Sequence, residues 1–108
     1  MKVFRNLVRR DEPLAADHLV GGRAVLPAAA QMDSLLTALD ALKPGGSWRL
    51  ERVGLLAPLH VPESGVEVET ALGEDGECAV RSRPPGTDRW TDHSRATAVH
   101  GPLGPPEY

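Results

Sequence analysis

Residues 27–46 read PAAAQMDSLLTALDALKPGG, and this stretch decides the fold. Met32, Leu35, Leu36, Leu39 and Leu42 recur at three- and four-residue spacing. On a helix that spacing gathers them into one apolar stripe, predicting a helix over about 28–42. Pro27 stands at its start, where a missing N–H costs nothing, and Lys43-Pro44-Gly45-Gly46 ends it. One amphipathic helix with one apolar stripe needs a single surface to cover.

The segments on either side supply that surface. Upstream, residues 2–9 hold Val3, Phe4, Leu7 and Val8 and read as a first strand, broken by Asp11-Glu12-Pro13. Residues 14–26 read as extended or looped, with Gly21-Gly22 permitting unusual backbone angles. Downstream everything reads as strand: residues 48–55, a short 59–61, 65–72, 77–83 and 90–99. In the third of these Val66, Val68, Thr70 and Leu72 alternate with Glu67, Glu69 and Ala71, so the two carboxylates are expected on a solvated face. Glu74-Asp75-Gly76 makes a hairpin turn and Pro84-Pro85-Gly86 a loop. A strand, a long helix and then four or more strands give an α+β fold, one helix covering a mostly antiparallel sheet.

Composition bounds what such a chain does. Its 108 residues fit one domain, expected over residues 1–100 with a Pro/Gly-rich tail at 101–108. The hydrophobic fraction of 41% and charged fraction of 25% are those of a globular protein. Only Phe4, Trp48, Trp90 and Tyr108 are aromatic, so the core is aliphatic. A single cysteine, Cys78, makes no internal disulfide and is expected to be a small buried apolar group. Twelve basic against 15 acidic residues, with no basic block, argue against a nucleic-acid binder. No apolar run is long enough to span a bilayer and the start does not read as a signal peptide, so a cytoplasmic location is expected. His60 and His100 have no partners at metal-ligand spacing and there is no Cys/His cluster, so no metal is expected. His93 is expected to pack or hydrogen-bond within the sheet.

The stretch that leads into the helix is Asp17-His18-Leu19-Val20-Gly21-Gly22-Arg23-Ala24-Val25-Leu26-Pro27. His18, Gly22 and Pro27 fit HxxxGxxxxP, and with them the sequence resembles the dehydratase domains of modular polyketide synthases. Two further segments, LLAPLHVP at 55–62 and WTDHS at 90–94, are similar to that family's strands in the right order. The resemblance departs at Ala28, where the family usually has glycine, and covers the family's first half alone. It implies a single hotdog, a curved antiparallel sheet wrapped around one long helix, and a homodimer or a pairing with a second hotdog chain.

The same resemblance implies a chemistry, elimination of water from a 3-hydroxyacyl thioester. His18 would be the base. In single-hotdog dehydratases the acid lies six residues after the motif proline, which is Asp33 here, and it would serve the partner subunit's site. A carboxyl on a buried helix can hold a proton to donate. The N–H groups of Ala28 and Ala29 at the helix start would polarise the thioester carbonyl, with Gly22 and Pro27 shaping the turn. The substrate would ride on phosphopantetheine, with no cofactor of the protein's own. Arg5, Arg9, Arg10 and Arg23 are the candidate contacts for an acyl carrier protein or that phosphate. Alternatives on the same scaffold are a non-catalytic half or binding module, an isomerase or cyclase, and a thioesterase.

Overall fold

The computed structural model describes residues 2–9, 19–20, 23–45 and 47–101. Strands β1 (Lys2–Val8), β2 (Leu19–Val20) and β3 (Arg23–Leu26) precede helix α1 (Ala28–Leu42). After it come β4 (Ser47–Leu55), β5 (Leu59–His60), β6 (Val66–Leu72), β7 (Glu77–Arg83) and β8 (Thr91–Gly101). A five-stranded antiparallel sheet has the order β1-β6-β7-β8-β4, and a small sheet the order β2-β3-β5. With α1 lying against the large sheet, this is a single hotdog. The tail from Pro102 onward lies outside the described residues.

The helix bounds match the 28–42 reading, but its buried face is turned from the expected one. Gln31, Leu35, Ala38 and Leu39 are buried, whereas Met32 and Leu36 are half-buried and Leu42 is 43% exposed. Gln31 takes part in that face because its carboxamide finds polar partners inside, on β3 and β8. Leu35 has no exposed surface, and burying such a side chain contributes roughly 1.5–3 kcal/mol. Opposite it, Val66, Val68, Leu72, Cys78, Val80 and Ala96 line the sheet's inner face. Cys78 is buried, as expected.

Where residues 14–26 read as extended or looped, β2 and β3 form a short antiparallel pair, Leu19 opposite Ala24 and Val20 opposite Arg23. β3 also pairs with β5, and the Val61 N–H donates to the Ala24 carbonyl at 2.8 Å. Leu59, fully buried, fills the space beneath.

Glu67 and Glu69 do not form the solvated face expected of them. The register sets Glu69 opposite both Arg5 and Arg81, and Glu67 opposite Arg83. Glu69 is 1% exposed and accepts from Arg5 Nε at 2.9 Å and Arg81 Nε at 2.7 Å, while Arg83 Nε donates to Glu67 at 2.6 Å. Trp90 covers this ladder, its ring 4.3 Å from the Arg81 guanidinium carbon and 4.4 Å from that of Arg83. Paired unlike charges and an aromatic lid thus cover the outer face of β1, β6 and β7.

Two irregularities bend the sheet around the helix. Between Glu51 and Gly54 β4 carries one residue more than β8, and Arg52 there adopts φ +52°. Between Val80–Ser94 and Arg81–Asp92, β8 in turn carries one residue more than β7, and that residue is His93. An extra residue bends the strand and re-aims a side chain. Here it turns two successive residues, His93 and Ser94, inward; both are buried between exposed Asp92 and Arg95.

Candidate active site

Strand β3 delivers the chain to Pro27, whose extended backbone (φ −68°, ψ 157°) makes it the residue just before the helix. No side chain caps this end, and no acidic residue lies in the first turn. The first turn of any helix has N–H groups with no carbonyl four residues back, which leaves those of Ala28, Ala29 and Ala30 to outside acceptors. Beside this turn opens a cavity of about 300 Å³. Val25, Leu26 and Pro27 form one wall, Ala28 and Gln31 the helix side, and residues 55–59 the other wall, with His93 also in the lining. The lining is mostly apolar, and Leu55 and Leu56 are 63% and 54% exposed.

Two polar links set the cavity's shape. Gln31 Nε2 donates to the Leu26 carbonyl at 3.1 Å and its Oε1 accepts from Ser94 Oγ at 2.8 Å, tying β3, α1 and β8 together. His93 Nδ1 lies 3.1 Å from the Ala57 carbonyl, and its Nε2 lies 2.6 Å from Ser82 Oγ. A carbonyl only accepts, so Nδ1 carries the proton and Nε2 accepts from the Ser82 hydroxyl. Burial holds the imidazole below the usual histidine range, against the opposing pull of the Ala57 and Pro58 carbonyls. The ring is therefore neutral at neutral pH, with both nitrogens engaged.

The candidate residues read from the sequence divide into three groups. Pro27, Ala28 and Ala29 sit at the helix start, the first two lining the cavity and Ala29 exposed beside it. His18, Gly22 and Arg10 lie outside the described residues, as does the side chain of Arg23, whose backbone pairs in β3. Asp33 is on the exposed side of α1 and not among the cavity's lining residues, so within one chain the helix does not bury it. Arg5 is committed to Glu69, and Arg9 is exposed just past β1. Among the described residues no group of three or more His, Cys, Asp and Glu side chains is placed to hold a metal. No helix among them is long and apolar enough to cross a membrane.

His93 hydrogen-bonds within the sheet as expected, but it also lines the cavity, which its position in the sequence did not indicate. Gln31, Ser82 and Ser94 were missed. Gln31 lies four and eight residues before Leu35 and Leu39, so the helical period itself places it on the buried face. A polar residue at such a position needs a partner, and that was the available signal.

Residues 1–83 match the family model for the polyketide synthase dehydratase domain. The chain is 34% identical over 95 residues to one component of the phenolphthiocerol/phthiocerol polyketide synthase of Mycobacterium tuberculosis, covering 83% of this chain and 4% of that protein. It is 43% identical over 70 residues to the polyketide synthase ThaG of Burkholderia thailandensis, covering 61% of this chain and 1% of that one. Among solved structures it is similar to the dehydratase domain from the terminal module of the rifamycin polyketide synthase, with TM-score 0.75 and 28% identity. The match covers 97% of this chain and 38% of that one. The dehydratase domain from the CurJ module of the curacin polyketide synthase superposes with TM-score 0.82 at 19% identity, covering 97% and 39%.

Proposed function

Because this chain belongs to the polyketide synthase dehydratase domain family, we propose that it takes part in polyketide biosynthesis by removing water from a carrier-bound 3-hydroxyacyl thioester. The observation that carries the reading is the apolar cavity of about 300 Å³ beside an uncapped helix start. An acyl chain fits an apolar channel, and free N–H groups at its edge suit a carbonyl on which enolate charge develops. His18, four residues before Gly22 and nine before Pro27, is the base that takes the α-proton. The acid that protonates the leaving hydroxyl is Asp33 of a second copy of the chain. Its exposure on α1 supports that reading, since an exposed carboxylate outside the lining of its own cavity is available to a neighbour's. Pantetheine carries the acyl group in, with Arg9, Arg10 and Arg23 as contacts for its phosphate or for the carrier protein. The protein itself supplies no cofactor.

A second reading has the same exposure in its favour. If cavity and acid meet only across an interface, the second hotdog can equally be a different polypeptide, and this chain alone is then a half-site.

Mass spectrometry of a 3-hydroxyacyl pantetheine thioester incubated with the purified chain separates the two. Loss of about 18 Da that disappears in His18→Ala and in Asp33→Asn is the expected result. An intact substrate beside a folded dimer removes the self-sufficient reading and leaves the half-site. Release of free acid without that loss indicates hydrolysis of the thioester instead.

A further inference from the structure

The two walls of the cavity are fastened by adjacent residues of one strand. Ser94 holds the helix side through Gln31. His93 holds the far wall three times over: its carbonyl accepts from the Leu56 N–H at 2.9 Å and the Ala57 N–H at 3.5 Å, and its Nδ1–H returns to the Ala57 carbonyl at 3.1 Å. That wall is anchored at its ends, where Leu55 pairs with Ser94 and buried Leu59 with Leu26, and between those ends Leu56 leaves 54% of its surface in solvent. His93 is also the residue by which β8 exceeds β7, while on the other side its carbonyl continues the β4–β8 ladder past Leu55 and Ser94.

We propose that His93 is a positioning residue of this cavity, a strap that holds residues 55–58 at a fixed distance from the start of α1 and so sets the channel's width. The inference rests on the reading of the cavity as the thioester's channel. With both nitrogens occupied, the ring acts through Ala57 and not on the reacting atoms.

Protonation opposes the closed strap through burial and not through a lost bond. An imidazolium keeps its Nδ1–H on the Ala57 carbonyl and turns Nε2–H onto Ser82 Oγ, whose own hydrogen must then find another acceptor. The charged ring would be 4% exposed. Asp92 on its own strand favours the charge, whereas His60 on β5 opposes it; Gln31 of α1, Ser82 of β7 and the 57–58 carbonyls carry no titrating group. Burial outweighs the Ala57 and Pro58 carbonyls and Asp92 together, so protonation favours a state in which the ring has left its buried seat, and the wall loosens only in acid.

Amide hydrogen exchange at Leu56 and Ala57, corrected for the intrinsic rate and followed from about pH 8 to about pH 5, tests this alongside turnover. In the wild type, protection falls as His93 titrates. His93→Phe keeps a flat ring, slightly larger than imidazole, but loses the ring bonds. It should lower protection at Ala57 and raise KM roughly five- to tenfold while kcat stays within about twofold. His93→Asn retains an N–H for Ala57 and does not titrate, so protection should persist into acid. If His93→Phe does not fold, Ser82→Ala serves instead: it removes the donor to Nε2 and should move the acid release to higher pH. Unchanged protection and KM in His93→Phe, or acid release persisting in His93→Asn, overturns the strap. The expected exchange pattern with no thioester binding or turnover overturns the substrate reading and leaves the strap standing.

Discussion

Glu69 shows what a single residue decides here. Burial alone would push its carboxyl upward, but the hydrogen bonds and charges of Arg5 and Arg81 outweigh burial and hold it below the ordinary carboxylate range. Both arginines keep contact with water, 57% and 36% exposed, so losing the carboxylate leaves them rehydrated and not stranded. Glu69→Ala should therefore cost about 2 kcal/mol in urea unfolding, below the usual range for breaking a buried pair. A loss under a few tenths would mean the ladder adds nothing to stability. Cys78 gives a second check at this scale. Burial first, then the neighbouring charge of Glu77, pushes its thiol up, so alkylation should be much slower in the folded chain than in urea. Equal rates would contradict its buried position. The thiol's burial was legible from the strand pattern, whereas that of Glu69 was not. Alternation assigns a face, but only cross-strand register reveals that Arg5 and Arg81, 64 and 12 residues away, meet on it.

Among the elements, α1 and the β6–β7 hairpin were legible because each is local: a period of three and four between breakers, and an alternation around a turn. The glycines of those breakers differ in their constraints. Gly45 and Gly76 both have positive φ, +82° and +90°. A Cβ on Gly45 meets nothing, while one on Gly76 sits 2.9 Å from the carbonyl oxygen of Ala98, on the strand to which the hairpin also bonds. Gly45→Ala should thus cost about 1 kcal/mol for its backbone alone, and Gly76→Ala measurably more. Equal thermal shifts for the two would remove the steric argument. The tie between α1 and β8 was not legible, since it needs the strand's bulge. Gln31→Leu leaves the Ser94 hydroxyl and Leu26 carbonyl without their partner and should cost about 1–2 kcal/mol. Adding Ser94→Ala to it should cost less than the separate losses summed, because both remove one bond. Strict additivity in that double-mutant cycle would argue that the pair does not interact.

At the scale of the whole molecule the two perturbed groups act in one direction. His93 is held below 6.5 in the folded chain, so between that value and its folded titration the unfolded chain binds more protons and stability falls as pH falls. Glu69 is held below 4.5, and its contribution, complete above that value, is lost as pH falls through the folded titration. The urea midpoint should therefore decline in two steps, one starting near 6.5 and another below 4.5. His93→Asn should lack the first step. A flat midpoint down to 4.5 would deny that His93 is buried neutral. The hotdog as a whole was legible because its helix and hairpin are local and its motif lies in a single segment. The site was legible only in part, because its far wall depends on which residue β8 carries in excess. That excess has a consequence for how such a chain changes over generations. Removing His93 would leave Ser94 opposite Val80 and Asp92 opposite Arg81, so a three-base deletion could erase the strap while every neighbouring pairing survives. One genetic event could thus remove the strap together with the bend that its extra residue puts in β8, while the rows of paired residues around it stay in register.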